Sequence, residues 1–277
     1  MDVVLILKAA LLGLVEGVTE FLPISSTGHL IVAEDLIGFS IPTRAAFVIA
    51  IQSGAMLAVV WEYRARLMHL ARAVFRDPIE QRLARNVVIA FLPAAVIGVL
   101  FKAAIERHLF APVPVASAFV IGALIILWSE RRHALRDDPP RVAALDDMDW
   151  GDALKIGCAQ CAALIPGTSR SGATIIGGLI FGFSRRAATE FSFFLAMPTL
   201  FGATVYSLYK VREQLSLRDL PLYLVGSVTA FIAALLCVRW LLRYISSHDF
   251  RAFAWYRIVF GGVILLTAYA GWVDWSA

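Results

Sequence analysis

Six runs of about twenty apolar residues, at 44–62, 86–104, 112–129, 190–209, 221–241 and 254–273, constrain this chain more than any other feature. A helix of that length crosses the roughly 30 Å of hydrocarbon in a bilayer. Lipid offers no water to free N–H and C=O groups, so only helices and closed barrels span it. None of the runs alternates in the manner of a barrel strand, and each is expected to be helical. Composition points the same way: 60% of residues are hydrophobic and 17% charged, against roughly 25% charged in a soluble domain. Three cysteines are too few for a disulfide scaffold, and the apolar content excludes a disordered chain. The first residues carry Asp2 where a signal peptide needs a basic region, and run on into Glu16 without a small-residue cleavage site, so they are expected to be retained. The formal charge of +4 is read as basic residues gathered in cytoplasmic loops, with no nucleic-acid partner.

Two further apolar regions break the pattern. Residues 3–38 are interrupted by Pro23-Ile24-Ser25-Ser26-Thr27-Gly28, and residues 153–183 by Pro166-Gly167-Thr168-Ser169-Arg170-Ser171-Gly172. Each reads as two half-helices around an irregular turn. Such backbone at membrane depth is tolerated where protein covers it or where it lines a watery cavity, which places both turns in a site.

The two regions also resemble each other. Pro23 lies 143 positions before Pro166, which sets Ser25-Ser26 opposite Thr168-Ser169, and Arg44-Ala45-Ala46 precedes Arg186-Ala187-Ala188 by 142. The expected fold is therefore an all-α polytopic membrane protein, a single integral membrane domain over 1–277. Residues 1–129 and 153–277 form two repeats joined by a cytoplasmic linker, 130–152, and each repeat is a re-entrant broken hairpin followed by three transmembrane helices. Three is odd, so the second repeat must be inserted upside down relative to the first. Loop charge agrees. Placing 63–85 inside puts 130–152, 184–189 and 239–253 inside as well, and these hold fifteen Arg against six Lys or Arg (Arg44, Lys102, Arg107, Lys210, Arg212 and Arg218) outside. Both termini then face out, and the two hairpin tips meet within the bilayer. The acidic run Asp146, Asp147, Asp149 and Asp152 reads as a solvated face of the linker.

Chemistry concentrates at the tips. Glu16 and Glu20 are four residues apart and share one face of the first half-helix. Each carboxylate costs on the order of 2.5–3.5 kcal/mol to insert, and intramembrane carboxylates mark functional sites. Two so close repel unless a cation or a shared proton lies between them, which suits a divalent metal or a general base; a structural pair bonded to Arg170 is the blander alternative. Ser25, Ser26 and Thr27 stand where they would cap the second half-helix. Capping explains one hydroxyl, not three, and a helix N-terminus is also an anion site beside which a hydroxyl is placed to attack phosphorus. His29, three residues past Ser26, is within reach to exchange a proton with it. The second tip supplies the opposite charge: Arg170 is the only basic residue between Lys155 and Arg185, and its flanking glycines let backbone approach an anion. Gly167 and Gly172 have the spacing of a Walker loop, but Ala173-Thr174 replaces its Lys and Ser/Thr pair and no strand precedes it, so a nucleotide-binding domain is rejected. Cys158 and Cys161 have redox spacing but no second pair, and read as small buried residues. Gly13-x-x-x-Gly17 reads as a helix contact.

Glu16-Gly-Val-Thr-Glu20-Phe-Leu-Pro-Ile-Ser-Ser26-Thr-Gly-His29 and Pro166-Gly-Thr-Ser-Arg170-Ser-Gly-Ala-Thr174 closely resemble the two signature segments of the bacterial undecaprenyl-diphosphate phosphatase family associated with bacitracin resistance. The resemblance extends over essentially the whole chain, including Glu190-Phe-Ser-Phe-Phe-Leu-Ala-Met-Pro198. It implies hydrolysis of undecaprenyl diphosphate to the monophosphate, which recycles the lipid carrier of peptidoglycan synthesis. It also implies a homodimer in the bacterial inner membrane, a pocket opening toward the periplasm and a divalent cation, Mg²⁺ or Ca²⁺. On that reading Ser26, His29, Glu20 and Arg170 are catalytic, Glu16 and Glu20 hold the metal, and Ser25, Thr27, Gly167, Thr168, Ser169, Arg170 and Ser171 bind the diphosphate. A secondary transporter or lipid flippase is the rival, since inverted repeats with broken helices are also transporter architecture.

Overall fold

Polar residues set where the helices begin. The structure, a computed structural model, describes residues 2–135, 138–212 and 217–273; Arg136 and Asp137 of the expected linker lie outside the described residues. Helix α1 (Val3–Thr19) starts where Asp2 accepts a hydrogen bond from the Val4 amide at 2.9 Å. A non-helical turn separates it from α2 (Ser26–Leu36), followed by α3 (Arg44–Glu62) and the short α4 (Arg64–Ala73). Asp77 caps α5 (Pro78–Leu109) through the Ile79 amide at 2.8 Å, with Pro78 at the first position where its missing N–H costs nothing. Next come α6 (Pro112–Ala134) and α7 (Trp150–Gln160), the latter opened by a reciprocal capping box between Asp149 and Asp152. A second interrupted turn leads to α8 (Arg170–Ile180), and the chain closes with α9 (Arg185–Val211), α10 (Leu220–Tyr244) and α11 (Arg251–Tyr269). Among the described residues there is no strand, only an isolated bridge between Val142 and Phe183.

Among the described residues, six helical segments are long and apolar enough to cross a membrane: Arg44–Glu62, Pro78–Phe101, Pro112–Ala134, Arg185–Lys210, Leu220–Tyr244 and Arg251–Tyr269. Each contains or overlaps one of the six apolar runs. The protein is an all-α, multi-pass membrane protein.

The halves share an element order, a broken pair followed by three long helices, with α4 added in the first. They also share local geometry. Helix α2 ends at Gly38, whose φ is +60°, with the Phe39 amide bonded to the Glu34 carbonyl at 2.8 Å. Helix α8 ends at Gly182, φ +91°, with the Phe183 amide bonded to the Gly178 carbonyl at 2.9 Å. Both are Schellman-type ends, in which a left-handed glycine lets the chain turn back on its own last carbonyls. Packing between halves follows the same rule. Gly13 of α1 lies so close to α10 that an added Cβ would come within 2.2 Å of the Gly226 carbonyl oxygen, and Gly157 of α7 lies against α5, 2.6 Å from the Ala90 carbonyl oxygen.

Three sequence expectations are corrected here. Segment 63–85 is not a loop but α4 and the first turns of α5, tied together where Arg66 bonds the buried Glu80 and reaches Asp146 at 3.2 Å. In the acidic run Asp146, Asp147 and Asp149 are exposed, as a solvated face requires, but the fourth member is not. Asp152 is buried and pairs with Arg141, and its hydrogen bond holds that guanidinium further above its ordinary pKa; Asp149 and Asp147 accept backbone amides. Cys158 is exposed and Cys161 half-buried rather than both enclosed, because the first faces outward from α7.

Candidate active site at the two helix tips

Two serines carry the only positive φ values of any described residue other than glycine: Ser25 at 70° and Ser169 at 74°. Each sits immediately before the first residue of a half-helix, α2 or α8. Such backbone costs on the order of 1–3 kcal/mol and persists where surrounding contacts over-determine it. At Ser169 the hydroxyl accepts the Gly172 amide at 3.0 Å; at Ser25 the carbonyl accepts from His29 Nδ1 at 2.7 Å. The shared strain fixes the correspondence between the tips: Ser25 matches Ser169, and Ser26 matches Arg170. That is one residue off the register set by the prolines, and the second tip takes up the extra residue at Gly167, whose φ is +93°.

The tips touch. Ser171 is fully buried and donates to the Leu22 carbonyl at 2.7 Å, and Ser169 reaches the same oxygen at 3.3 Å. A residue absent from the sequence reading completes the joint. Arg257 of α11, 1% exposed, donates from Nε to Phe119 O at 3.1 Å, from Nη1 to Pro23 O at 3.1 Å and Thr168 O at 2.8 Å, and from Nη2 to Ala118 O at 2.9 Å and Gly167 O at 3.1 Å. All five guanidinium N–H groups are thereby spent on backbone carbonyls of both tips and of α6. The signal was present in the sequence, as a lone Arg inside the apolar run 254–273, where charge is costly and seldom idle.

Across this joint runs a short polar chain. Ser26 Oγ donates to Glu20 Oε2 at 2.6 Å, and Arg170 Nη2 donates to Glu20 Oε1 at 3.1 Å. Arg170 also bonds the Ser192 carbonyl through Nη1 at 3.1 Å and lies over the Phe21 ring, which leaves Nε without a partner. Glu16 is buried, and its Oε1 has no donor.

A cavity of about 470 Å³ opens on this chain, lined at its polar end by Glu20, Ser25, Ser26, Thr27, Gly167, Ser169 and Arg170. Gln52 and Gln160 line it too, and neither is singled out by sequence reasoning; Gln160 stands 144 positions after Glu16, the same offset that relates Ser25 to Ser169. Beyond the tips the walls are mostly apolar, with Phe91, Ala94, Val99, Ile105 and Leu200 joined by Thr199, Tyr206 and Ser207.

Four expected site residues stand apart from the cavity: Glu16, Thr168, Ser171 and His29. The Ser171 hydroxyl is spent on Leu22, and the Thr168 carbonyl serves Arg257. His29 is stacked between aromatic rings, 3.9 Å from Phe260 and 5.5 Å from Tyr256 by centroid. Its Nδ1 bonds the Ser25 carbonyl and its Nε2 meets the Tyr256 hydroxyl at 2.6 Å. Since a carbonyl only accepts, Nδ1 carries a proton, and neither ring nitrogen is placed on Ser26. The expected exchange of a proton between His29 and Ser26 is not made in this arrangement.

Of the two carboxylates expected to hold a cation, Glu16 has in Oε1 an atom that a metal or water would satisfy, whereas both oxygens of Glu20 already accept from Ser26 and Arg170. His69, Asp77 and Glu80 also come together, but Arg66 already neutralises Glu80 and Asp77 caps α5.

The sequence profile of the family described as bacitracin resistance protein BacA matches residues 9–263. Proteins named undecaprenyl-diphosphatase from Methylibium petroleiphilum, Janthinobacterium sp. and Dechloromonas aromatica are 59%, 61% and 61% identical to the chain, each over the full length of both sequences. The chain belongs to the bacitracin resistance protein BacA family.

Proposed function

We propose that the protein hydrolyses undecaprenyl diphosphate to undecaprenyl phosphate and inorganic phosphate, recycling the lipid carrier of cell-envelope synthesis and thereby contributing to bacitracin resistance. The observation that carries this reading is the Arg170–Glu20–Ser26 chain at the polar end of a mostly apolar cavity. A diphosphate headgroup matches the polar end and a prenyl chain the walls, and relatives of 59–61% identity bear the name of that activity.

The diphosphate lies between the N-termini of α2 and α8, where helix ends favour anions. The Arg170 guanidinium, with its unspent Nε, and the Thr27 and Ser169 hydroxyls bind its oxygens, and the backbone at Ser25 and Gly167 brings amides close. Glu16 and Glu20 would hold a divalent cation, Mg²⁺ or Ca²⁺, which when bound neutralises phosphate charge. Glu20 Oε2 removes the proton of Ser26 as Oγ attacks the terminal phosphorus. The bond to the bridging oxygen breaks, and undecaprenyl phosphate departs. Water then attacks the phosphoserine, and the serine oxygen recovers a proton as inorganic phosphate leaves. His29 acts by holding the strained Ser25 carbonyl, as a positioning residue. Direct attack by water, with Ser26 as a ligand, is the competing route.

The repeats, 1–129 and 153–277, are inserted with opposite orientation on this reading, with linker 130–152 in the cytoplasm. The protein sits in the bacterial inner membrane as a homodimer, and the site opens to the periplasm. Charge distribution and the matched ends of α2 and α8 support the topology.

A phosphate-release assay on pure protein, with and without chelator, tests the activity. Release from the C55 diphosphate that chelator stops and Mg²⁺ or Ca²⁺ restores is expected. No release, alongside counterflow of a phosphorylated lipid in liposomes, would establish a transporter instead. Phosphoserine at residue 26, trapped with a slow substrate, separates the covalent route from direct hydrolysis.

A further inference from the structure

A second cavity, of about 390 Å³, adjoins the first along Ser26, Thr27, Gln52, Phe110 and Ser207. Beyond that junction the two part in character. The first continues between mostly apolar side chains with no charge among them, whereas the second adds Glu16, Glu34, Arg44 and Lys210 to an apolar side formed by Leu30, Ile31, Val48 and Ile49. Glu34 is buried; Arg44 is 47% exposed and lies with Nη2 2.7 Å from Glu34 Oε2, to which its Nε also donates at 2.8 Å. Both bonds use the same oxygen. Glu16 and Glu34 line this second cavity, and each keeps one enclosed carboxylate oxygen without a donor.

Charged walls favour water and ions, and Glu16, Glu34, Arg44 and Lys210 place four charged side chains along the second branch. Beyond the tips no charged side chain lines the first. The second branch is therefore the more hydrophilic of the two, and the attacking hydroxyl lies where they meet. The reaction makes two products of opposite solubility there. Undecaprenyl phosphate keeps its chain among apolar walls, while a phosphate anion cannot pass through a channel filled with hydrocarbon.

We propose that the second cavity is the route by which water reaches the reacting phosphorus and inorganic phosphate leaves. Arg44 and Lys210 receive the anion along it, and the first cavity holds the prenyl chain throughout. Two cations on the walls balance two carboxylates, so the passage does not repel the departing anion, and Glu34 keeps Arg44 against the wall. The inference rests on the phosphatase reading and adds a division of labour between the two cavities.

Three variants of the purified full-length protein test it: Arg44→Glu reverses the charge, Ala45→Trp narrows the second cavity, and Ala95→Trp narrows the first. Phosphate formed, measured after acid quench, is compared with phosphate free in solution, followed by a fluorescent phosphate sensor. Arg44→Glu and Ala45→Trp should each make free phosphate lag behind formed phosphate and lower kcat about fivefold, with KM for the C55 lipid within about twofold. Ala95→Trp should raise that KM about fivefold or more without a lag. Wild-type protein that forms no phosphate overturns the phosphatase reading and the exit route with it. Wild-type turnover with no lag in either second-cavity variant, or a KM rise in Ala45→Trp like that of Ala95→Trp, overturns the exit route alone.

Discussion

The two tips share a backbone and divide the chemistry. Each half-helix starts after a serine with φ near +70° and ends at a glycine of positive φ, yet the side chains at matched positions are opposites. Ser26 stands where the other tip has Arg170, and Glu16 where it has Gln160. Both halves present a hydroxyl and an amide to the cavity, but the carboxylate comes from the first, Glu20, and the guanidinium from the second, Arg170. A symmetric pair of tips would put two acids or two bases around one ligand. Divergence on a common scaffold instead yields an acceptor side and a donor side facing one cavity, the arrangement that attack by a hydroxyl, which loses a proton, on a phosphoryl group, which needs donors, requires.

Breaking that division should have the largest effect. Arg170→Gln or Ser26→Ala is expected to lower kcat/KM about 10²- to 10³-fold in a phosphate-release assay, the scale seen when one preorganised donor to a developing oxyanion is lost. Arg170→Lys should recover little, because a point charge cannot serve Glu20 and a phosphate as a planar fork does. Loosening the joint comes next. Arg257→Lys keeps the charge but cannot donate to five carbonyls, and should lower kcat about tenfold or more with a smaller change in KM; Arg257→Ala leaves all five without their donor and should unfold in a detergent melt at lower temperature.

Making the tips alike sharpens the comparison. Glu16→Gln gives the first tip the residue of the second and should raise the cation concentration for half-maximal activity about tenfold or more, read by titration after chelation. An unchanged requirement would remove Glu16 from the cation site. The smallest effect concerns the scaffold. Gly13→Ala forces a Cβ against the Gly226 carbonyl and should cost about 1–3 kcal/mol of stability, while Gly262→Ala, where nothing lies within 4 Å, should stay within about 0.5 kcal/mol.

What the sequence made legible follows from physics that acts locally. Twenty apolar residues suffice to specify a span, and Pro with Gly and Ser in mid-run suffices to specify a break, so α3, α5, α6 and α9 to α11 and both tips could be placed without coordinates. Glu20, Ser26 and Arg170 stood out because charge and hydroxyls are rare in such surroundings. Contacts between distant segments were hidden. His29 lies one turn from Ser26 in sequence, but α11 brings Tyr256 and Phe260 to its ring and claims Nε2. Asp152 looked solvated until Arg141 folded onto it. The one-residue shift between tips depended on a backbone angle at Gly167 that no spacing of prolines reveals.

Whether both tips hold one diphosphate is decided by calorimetry with a methylene-bridged prenyl diphosphonate, which binds without being cleaved. Arg170→Gln and Ser26→Ala should each weaken binding, and the double variant should lose less than the sum of the two free energies, as expected for groups acting on one ligand. Undiminished affinity in Arg170→Gln, or strictly additive losses, would contradict a single shared diphosphate.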